Sequence, residues 1–193
     1  MLAFLLVACT LGGAGDLRPV ILDSDAPAES DTEAPVDSDP TEPPGPTASL
    51  LMINEFLASN VTGLQDETGA RPDWVELYNA GDADVSLAGY ALIDSLDDGG
   101  GDDAADLDAA LVVPAGGWLI LYPDDGDVNA ASHLPFALAA DGGELALFLD
   151  GEPVDLLRYG PQASDWSAAR APDAGATWII DTTPTPGAAN DVD

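Results

Sequence analysis

The sequence predicts an all-β sandwich, and three observations predict it. Apolar residues come in short runs of roughly five to seven, several alternating with polar positions, as strands with one buried face do. Clusters of Gly, Pro and Asp separate the runs as turns would. No stretch sustains a helical period of 3.6, apart from a weak Ala-rich segment around Asp103 to Ala110.

Leu51-Met52-Ile53-Asn54-Glu55-Phe56-Leu57 is the first expected strand. Trp74-Val75-Glu76-Leu77-Tyr78 alternates, which puts Val75 and Leu77 on one face and Glu76 on the other. Val85 to Ile93 is a third run, with Gly89 inside it. Trp118-Leu119-Ile120-Leu121-Tyr122 is apolar on both faces, the pattern of a central strand. Glu144 to Leu149 alternates again, and Asp150-Gly151-Glu152-Pro153 reads as a hairpin turn into Val154 to Tyr159. Gly81-Asp82, Pro114-Ala115-Gly116-Gly117 and Asp141-Gly142-Gly143 supply the other turns.

Residues 50–190 therefore read as the folded domain, and residues 10–49 as a linker. Seven prolines from Pro19 to Pro46 punctuate that linker, and Asp and Glu alternate in it with Ser, Thr and Ala. Too little apolar surface is present there to offset the entropy of ordering, so a disordered, extended tether is expected. Residues 1–9 read as a lipoprotein signal peptide. Leu6-Val7-Ala8-Cys9 resembles the bacterial lipobox, in which the cysteine is acylated and the preceding peptide removed. The competing reading is a buried N-terminal strand with Cys9 in its core; the acidic, proline-rich tract behind it favours a tether. The apolar run is too short to cross a bilayer, which takes about 20 residues. The expected location is the cell envelope, outside the cytoplasmic membrane, at the outer membrane or cell surface.

Charge narrows the partners. The chain carries 36 acidic side chains against 4 Lys plus Arg, for a net charge of −32. Such a surface repels phosphate, so no nucleic-acid partner is expected. Anionic headgroups are repelled too, and membrane contact has to come through the lipid. High net charge also serves solubility alone. Cys9 is the single cysteine, so no internal disulfide can form and the core must hold the domain together.

An ordered set of motifs is shared with a known family. Ile53-Asn54-Glu55 precedes Asp73-Trp74-Val75-Glu76-Leu77-Tyr78-Asn79, then Leu87-Ala88-Gly89-Tyr90 and Pro114-Ala115-Gly116-Gly117-Trp118. Asp141-Gly142-Gly143-Glu144-Leu145, Ala169-Arg170 and the ending Pro184-Thr185-Pro186-Gly187-Ala188-Ala189-Asn190 follow. Over about residues 50–190 the chain resembles a bacterial lamin-tail domain. The resemblance implies an immunoglobulin-like β-sandwich. It gives Asn54, Glu55, Trp74, Glu76, Asn79, Pro186, Gly187 and Asn190 the standing of structural family residues. Asp97 to Asp108 departs from the pattern as a longer, more acidic loop.

Candidate chemistry is sparse. Glu55 and Glu76 lie on neighbouring expected strands and could serve a hydrolase, which needs two carboxyls facing a sugar cleft. The stronger reading is structural, with both bonding turns and backbone at the sandwich edge. Asn54 and Asn79 read as turn caps. His133 has no His or Cys partner for zinc and reads as an ordinary loop histidine. No serine sits in a nucleophile elbow, and no phosphate-binding glycine loop is present. Asp97, Asp98, Asp102, Asp103, Asp106 and Asp108 crowd around Gly99-Gly100-Gly101. Two readings of this loop stand open: a calcium site, since calcium takes 6–8 oxygens, or a solvated insertion. Arg71, Arg158 and Arg170 read as structural partners for carboxylates. Trp166 and Trp178 read as packing residues, with a sugar or peptide surface as the alternative.

The expectation is thus a lipid-anchored, surface-exposed module without enzymatic activity, serving adhesion or envelope assembly. An envelope protein or polysaccharide is its expected partner. A calcium-dependent binding domain is the first alternative, and a hydrolase using Glu55 and Glu76 the second.

Overall fold

A computed structural model describes residues 50–95, 104–126 and 128–190. The signal peptide, the linker, and Asp97, Asp98, Asp102 and Asp103 of the acidic loop lie outside the described residues. Twelve strands are formed, with no helix among the described residues. They are β1 (Leu51–Leu57), β2 (Trp74–Asn79), β3 (Val85–Ser86), β4 (Tyr90–Ile93), β5 (Ala105–Asp106) and β6 (Val112–Val113). Then come β7 (Trp118–Pro123), β8 (His133–Leu134), β9 (Gly143–Leu149), β10 (Glu152–Tyr159), β11 (Ser167–Arg170) and β12 (Trp178–Asp181). One sheet has the order β12-β11-β1-β2-β7-β8, the other β10-β9-β4-β5, and β3 pairs with β6. All pairings are antiparallel except β7 with β8. The chain is an immunoglobulin-like β-sandwich, as expected.

Alternation explains the core. Ile53, Phe56, Val75, Leu77 and Leu121 from the larger sheet meet Leu92, Leu145, Leu147 and Leu157 from the smaller, all fully buried. The Phe56 ring lies 4.8 Å from that of Tyr159 and 5.9 Å from that of Trp178. Ile53 and Phe56 are three apart, which a strict period of two forbids for one face. A β-bulge resolves it: the β1–β2 register shifts between Ile53 and Glu55, and Asn54 has no cross-strand partner. Asn54 and Glu55 are then both turned away from the core. A second bulge, between Pro153 and Asp155 in β10, aims Asp155 back into the gap between the sheets.

The β9–β10 hairpin closes as its sequence predicts. Asp150 and Gly151 have φ of 51° and 83°, the two-residue turn with left-handed backbone at both positions that suits the sheet twist.

Three expectations change, and two strands are added. The run Val85 to Ile93 is two strands, β3 and β4, because a turn closed by the Tyr90 amide on the Leu87 carbonyl interrupts it. The Ala-rich segment is not helical; it pairs Ala105 and Asp106 with β4 as an edge strand. Strand β7 is central in order, yet Trp118 to Ile120 remain only half-buried, since short β8 covers only Tyr122 and Pro123. Strands β11 and β12 were hidden in sequence because each is four residues long.

Candidate functional site

The bulge at Asn54 places a polar cluster on the outer face of the larger sheet. Glu55 stands opposite Glu76 as its antiparallel partner, and opposite Ala169 on the other side. Outward-facing polar side chains normally meet water. Here Asn54, Glu55, Glu76 and Asn190 are all buried, because the segment following β12 folds back across them.

That C-terminal strap is held by hydrogen bonds to both carboxylates. The Thr185 amide donates to Glu55 Oε1 at 3.2 Å, and its hydroxyl to Glu55 Oε2 at 3.3 Å. Ser167 Oγ donates to Glu55 Oε1 from β11. The Gly187 amide donates to Glu76 Oε2 at 2.7 Å, while Asn54 Nδ2 donates to Oε1 at 3.0 Å. All four carboxyl oxygens are thus engaged by the chain itself. Pro186 sets the backbone between these two contacts, and Gly187 has φ of 77°. Asn190 closes the strap: its side-chain amide donates to the carbonyls of Arg170 at 2.9 Å and Asn54 at 3.3 Å. Asn54 completes the cluster by donating to Asp173 Oδ1 at 3.0 Å.

Burial governs the electrostatics. Removal from water pushes the Glu76 carboxyl up to about 7, against the hydrogen bonds from Asn54 and Gly187. The same desolvation raises Glu55, opposed by its bonds to Ser167 and Thr185. The charges of Glu55 and Asp173 add to the rise of Glu76, and that of Asp181 to the rise of Glu55. A hydrolase would need such carboxyls open to substrate. These two are reached only by displacing the strap.

The remaining family residues are structural in their contacts. Asn79 Nδ2 donates to the carbonyls of Ala83, Val113 and Pro114, and Asn79 Oδ1 accepts from the Gly81 amide, so one side chain ties two turns together. Trp74 is buried on β2 although it shares the outward face with Glu76.

Sequence reasoning missed the inter-sheet ion pair in its detail. Arg170 Nη2 donates to both oxygens of Asp155, at 2.9 and 3.0 Å, from β11 to β10. Its Nε donates to the Ile53 carbonyl at 2.8 Å, and Asp155 Oδ2 accepts from the Ile53 amide at 3.0 Å. The guanidinium lies 4.7 Å from the Trp178 ring centre. The signal was the scarcity of cations, which marked Arg170 but not its partner. Arg158 pairs with Glu144 across the hairpin. Arg71 departs from expectation: its Nε donates to the Gly63 carbonyl at 3.3 Å, not to a carboxylate. Trp178 packs beside the core, whereas Trp166 is 45% exposed.

His133 is not an ordinary loop histidine. It lies in β8 with its side chain fully buried. Nδ1 is 2.7 Å from Asp124 Oδ2, and Nε2 is 3.2 Å from Glu67 Oε2. The ring lies 5.0 Å from that of Tyr122. Nearby Asp66 accepts from the Thr68 hydroxyl and the Thr68 and Ala70 amides, which form a tight turn.

The two described members of the acidic loop do not converge. Asp106 is exposed on β5, and Asp108 Oδ1 accepts from the Ala110 amide at 2.8 Å, closing a turn. Among the described residues no three carboxylates, histidines or cysteines are arranged to hold a metal ion.

The model of the lamin tail domain family matches residues 44–161. The matched stretch runs through β10 and stops before β11, β12 and the strap. No curated protein matches the chain.

Proposed function

This chain belongs to the lamin tail domain family, and on that premise we propose that it is a non-catalytic binding module displayed at the cell envelope. Domains of this family are immunoglobulin-like and generally bind rather than catalyse. In the proposal, lipid on Cys9 holds the module to a membrane, residues 10–49 lift it clear, and the sandwich serves adhesion or envelope assembly. Its partner is an envelope protein or polysaccharide.

The observation that carries the non-catalytic reading is the sealing of Glu55 and Glu76. They are the pair a glycoside hydrolase would use, yet both are fully buried with every oxygen accepting a hydrogen bond. The lipobox-like Leu6-Val7-Ala8-Cys9 and the proline- and acid-rich tract behind it support the anchor. A net charge of −32 supports attachment through lipid rather than through headgroups.

Fractionation of cells carrying the wild type and Cys9→Ala tests the anchor. The wild type pellets with membranes and carries acyl mass on its N-terminal peptide, and the variant becomes soluble. A variant that still pellets, with no acyl mass on the wild-type peptide, overturns the anchor. For the binding role, the wild-type chain retains an envelope protein or polysaccharide in a pull-down from envelope fractions. Glycosidase activity that disappears in Glu76→Gln would instead establish the hydrolase.

A further inference from the structure

We propose that Glu67, His133 and Asp124 form a proton-operated latch that holds the loop between β1 and β2 against the end of β7. Both ring nitrogens of His133 face carboxylate oxygens, Asp124 at 2.7 Å and Glu67 at 3.2 Å. A carboxylate only accepts, so both nitrogens must donate, and only the doubly protonated imidazolium has two N–H groups. Neutral imidazole turns a lone pair toward one of the two carboxylates, and that contact becomes repulsive.

The two carboxylates differ in how firmly they are held. Asp124 is nearly buried and belongs to the β7 end, where it also accepts from the Gly126 amide at 3.1 Å and pairs in a bridge with Ala137. Glu67 is half exposed and sits at the tip of the Asp66–Ala70 turn. Its side chain is therefore the one released. The charged groups around the ring are Glu67 and Asp66 from the loop and Asp124 from just beyond β7. Tyr122 stacks beside it, and Asp106 and Asp108 line a depression on its other side. Arg71 and Asp125 line the neighbouring cleft with Asp66 and Asp124, but the Arg71 Nε donates to the Gly63 carbonyl, so the imidazolium is the cation hydrogen-bonded to Asp124 and Glu67. Burial of the ring opposes its protonation, but the hydrogen bonds and charges of Asp124 and Glu67 outweigh burial and raise its pKa. The sign follows: the latch is closed below the ordinary histidine range and opens as pH rises through the raised value. Opening frees the Asp66–Ala70 turn, which forms one wall of a cleft completed by Asp73, Pro123 and Val128.

His133 is the single histidine of the chain, so its ring gives one clean NMR titration in the full-length protein. The expected midpoint lies above that of a free histidine peptide and falls in Glu67→Gln. Amide exchange, corrected for intrinsic rate, reads the loop. Protection from Gly63 to Arg71 drops about tenfold or more as the ring deprotonates, the worth of one charge-assisted hydrogen bond. Amides of β1 and β2 stay protected through the same range, which separates latch opening from unfolding. In Glu67→Ala, which removes the acceptor altogether, the loop is already unprotected at low pH. A midpoint at or below the free-peptide value overturns the proposal, as does loop protection that ignores the titration. Should a variant fail to fold, the wild-type titration and exchange decide alone.

Discussion

Glu55 stands directly across the β1–β2 ladder from Glu76, and a single segment of chain seals both from water. Two like charges as cross-strand partners are unfavourable on an open sheet. They persist here because Thr185 and Gly187 bring backbone amides to them, and because Ser167 and Asn54 add side-chain donors. The pair is the docking site of the chain's own C-terminal strap. Its cost is a dependence on pH.

The first prediction is that stability falls from pH 5 to pH 8. Glu76 is raised by burial from 4.5 to about 7. Its contribution is fully present below the unfolded value and lost as pH rises through the folded one, an effect of about 3 kcal/mol. Glu55 and Asp73, the latter raised by burial to about 6, push the same way. Asp66, Glu67 and Asp165 are lowered by hydrogen bonds, so they protect the fold down into the acid range and lose that effect only below it. Urea unfolding at fixed high salt, which screens the general repulsion, should place the optimum in mild acid. A flat or rising curve between pH 5 and 8 would sink the assignment.

A second prediction concerns Arg170 and Asp155. Removing one member of a buried ion pair leaves the other uncompensated, at about 3–5 kcal/mol. Arg170→Met should therefore cost that much, since it also strips the Ile53 carbonyl and leaves the buried Asp155 charge with only the backbone amides of Ile53 and Leu156. Removing both, in Arg170→Met/Asp155→Leu, should cost less than the sum of the single changes. Additive losses in a double-mutant cycle would show that the two side chains act independently.

A third prediction separates two glycines with left-handed backbone. Gly151 has φ of 83° and open space where a side chain would go, so Gly151→Ala should cost about 1–2 kcal/mol from backbone strain alone. Gly142 has φ of 112°, and a Cβ there would sit 2.8 Å from the Tyr159 carbonyl oxygen. That neighbour is backbone of β10 and cannot step aside. Gly142→Ala should be the more damaging of the two, shown by a lower thermal midpoint. The reverse order would mean that the approach of Gly142 to the Tyr159 carbonyl relaxes more easily than its packing implies.

Much of this protein was determined by sequence alone, wherever the physics is local. Alternation in Trp74 to Tyr78 and Glu144 to Leu149 fixed strands and their buried faces, because strand side chains repeat every two residues. Asp150-Gly151 fixed a hairpin, because few residue pairs tolerate two left-handed positions. Tertiary structure decided the rest. The Asn54 bulge reverses which residues of β1 face the core, and no composition signal marks it. The burial of Glu55 and Glu76 depends on a strap more than 100 residues away in the chain. His133 acquires its two carboxylates from positions 66 and 9 residues distant, invisible to any motif with fixed spacing. Contacts of that kind are set by how sheets stack and chains return. The candidate site, unlike the fold, is built almost wholly from them.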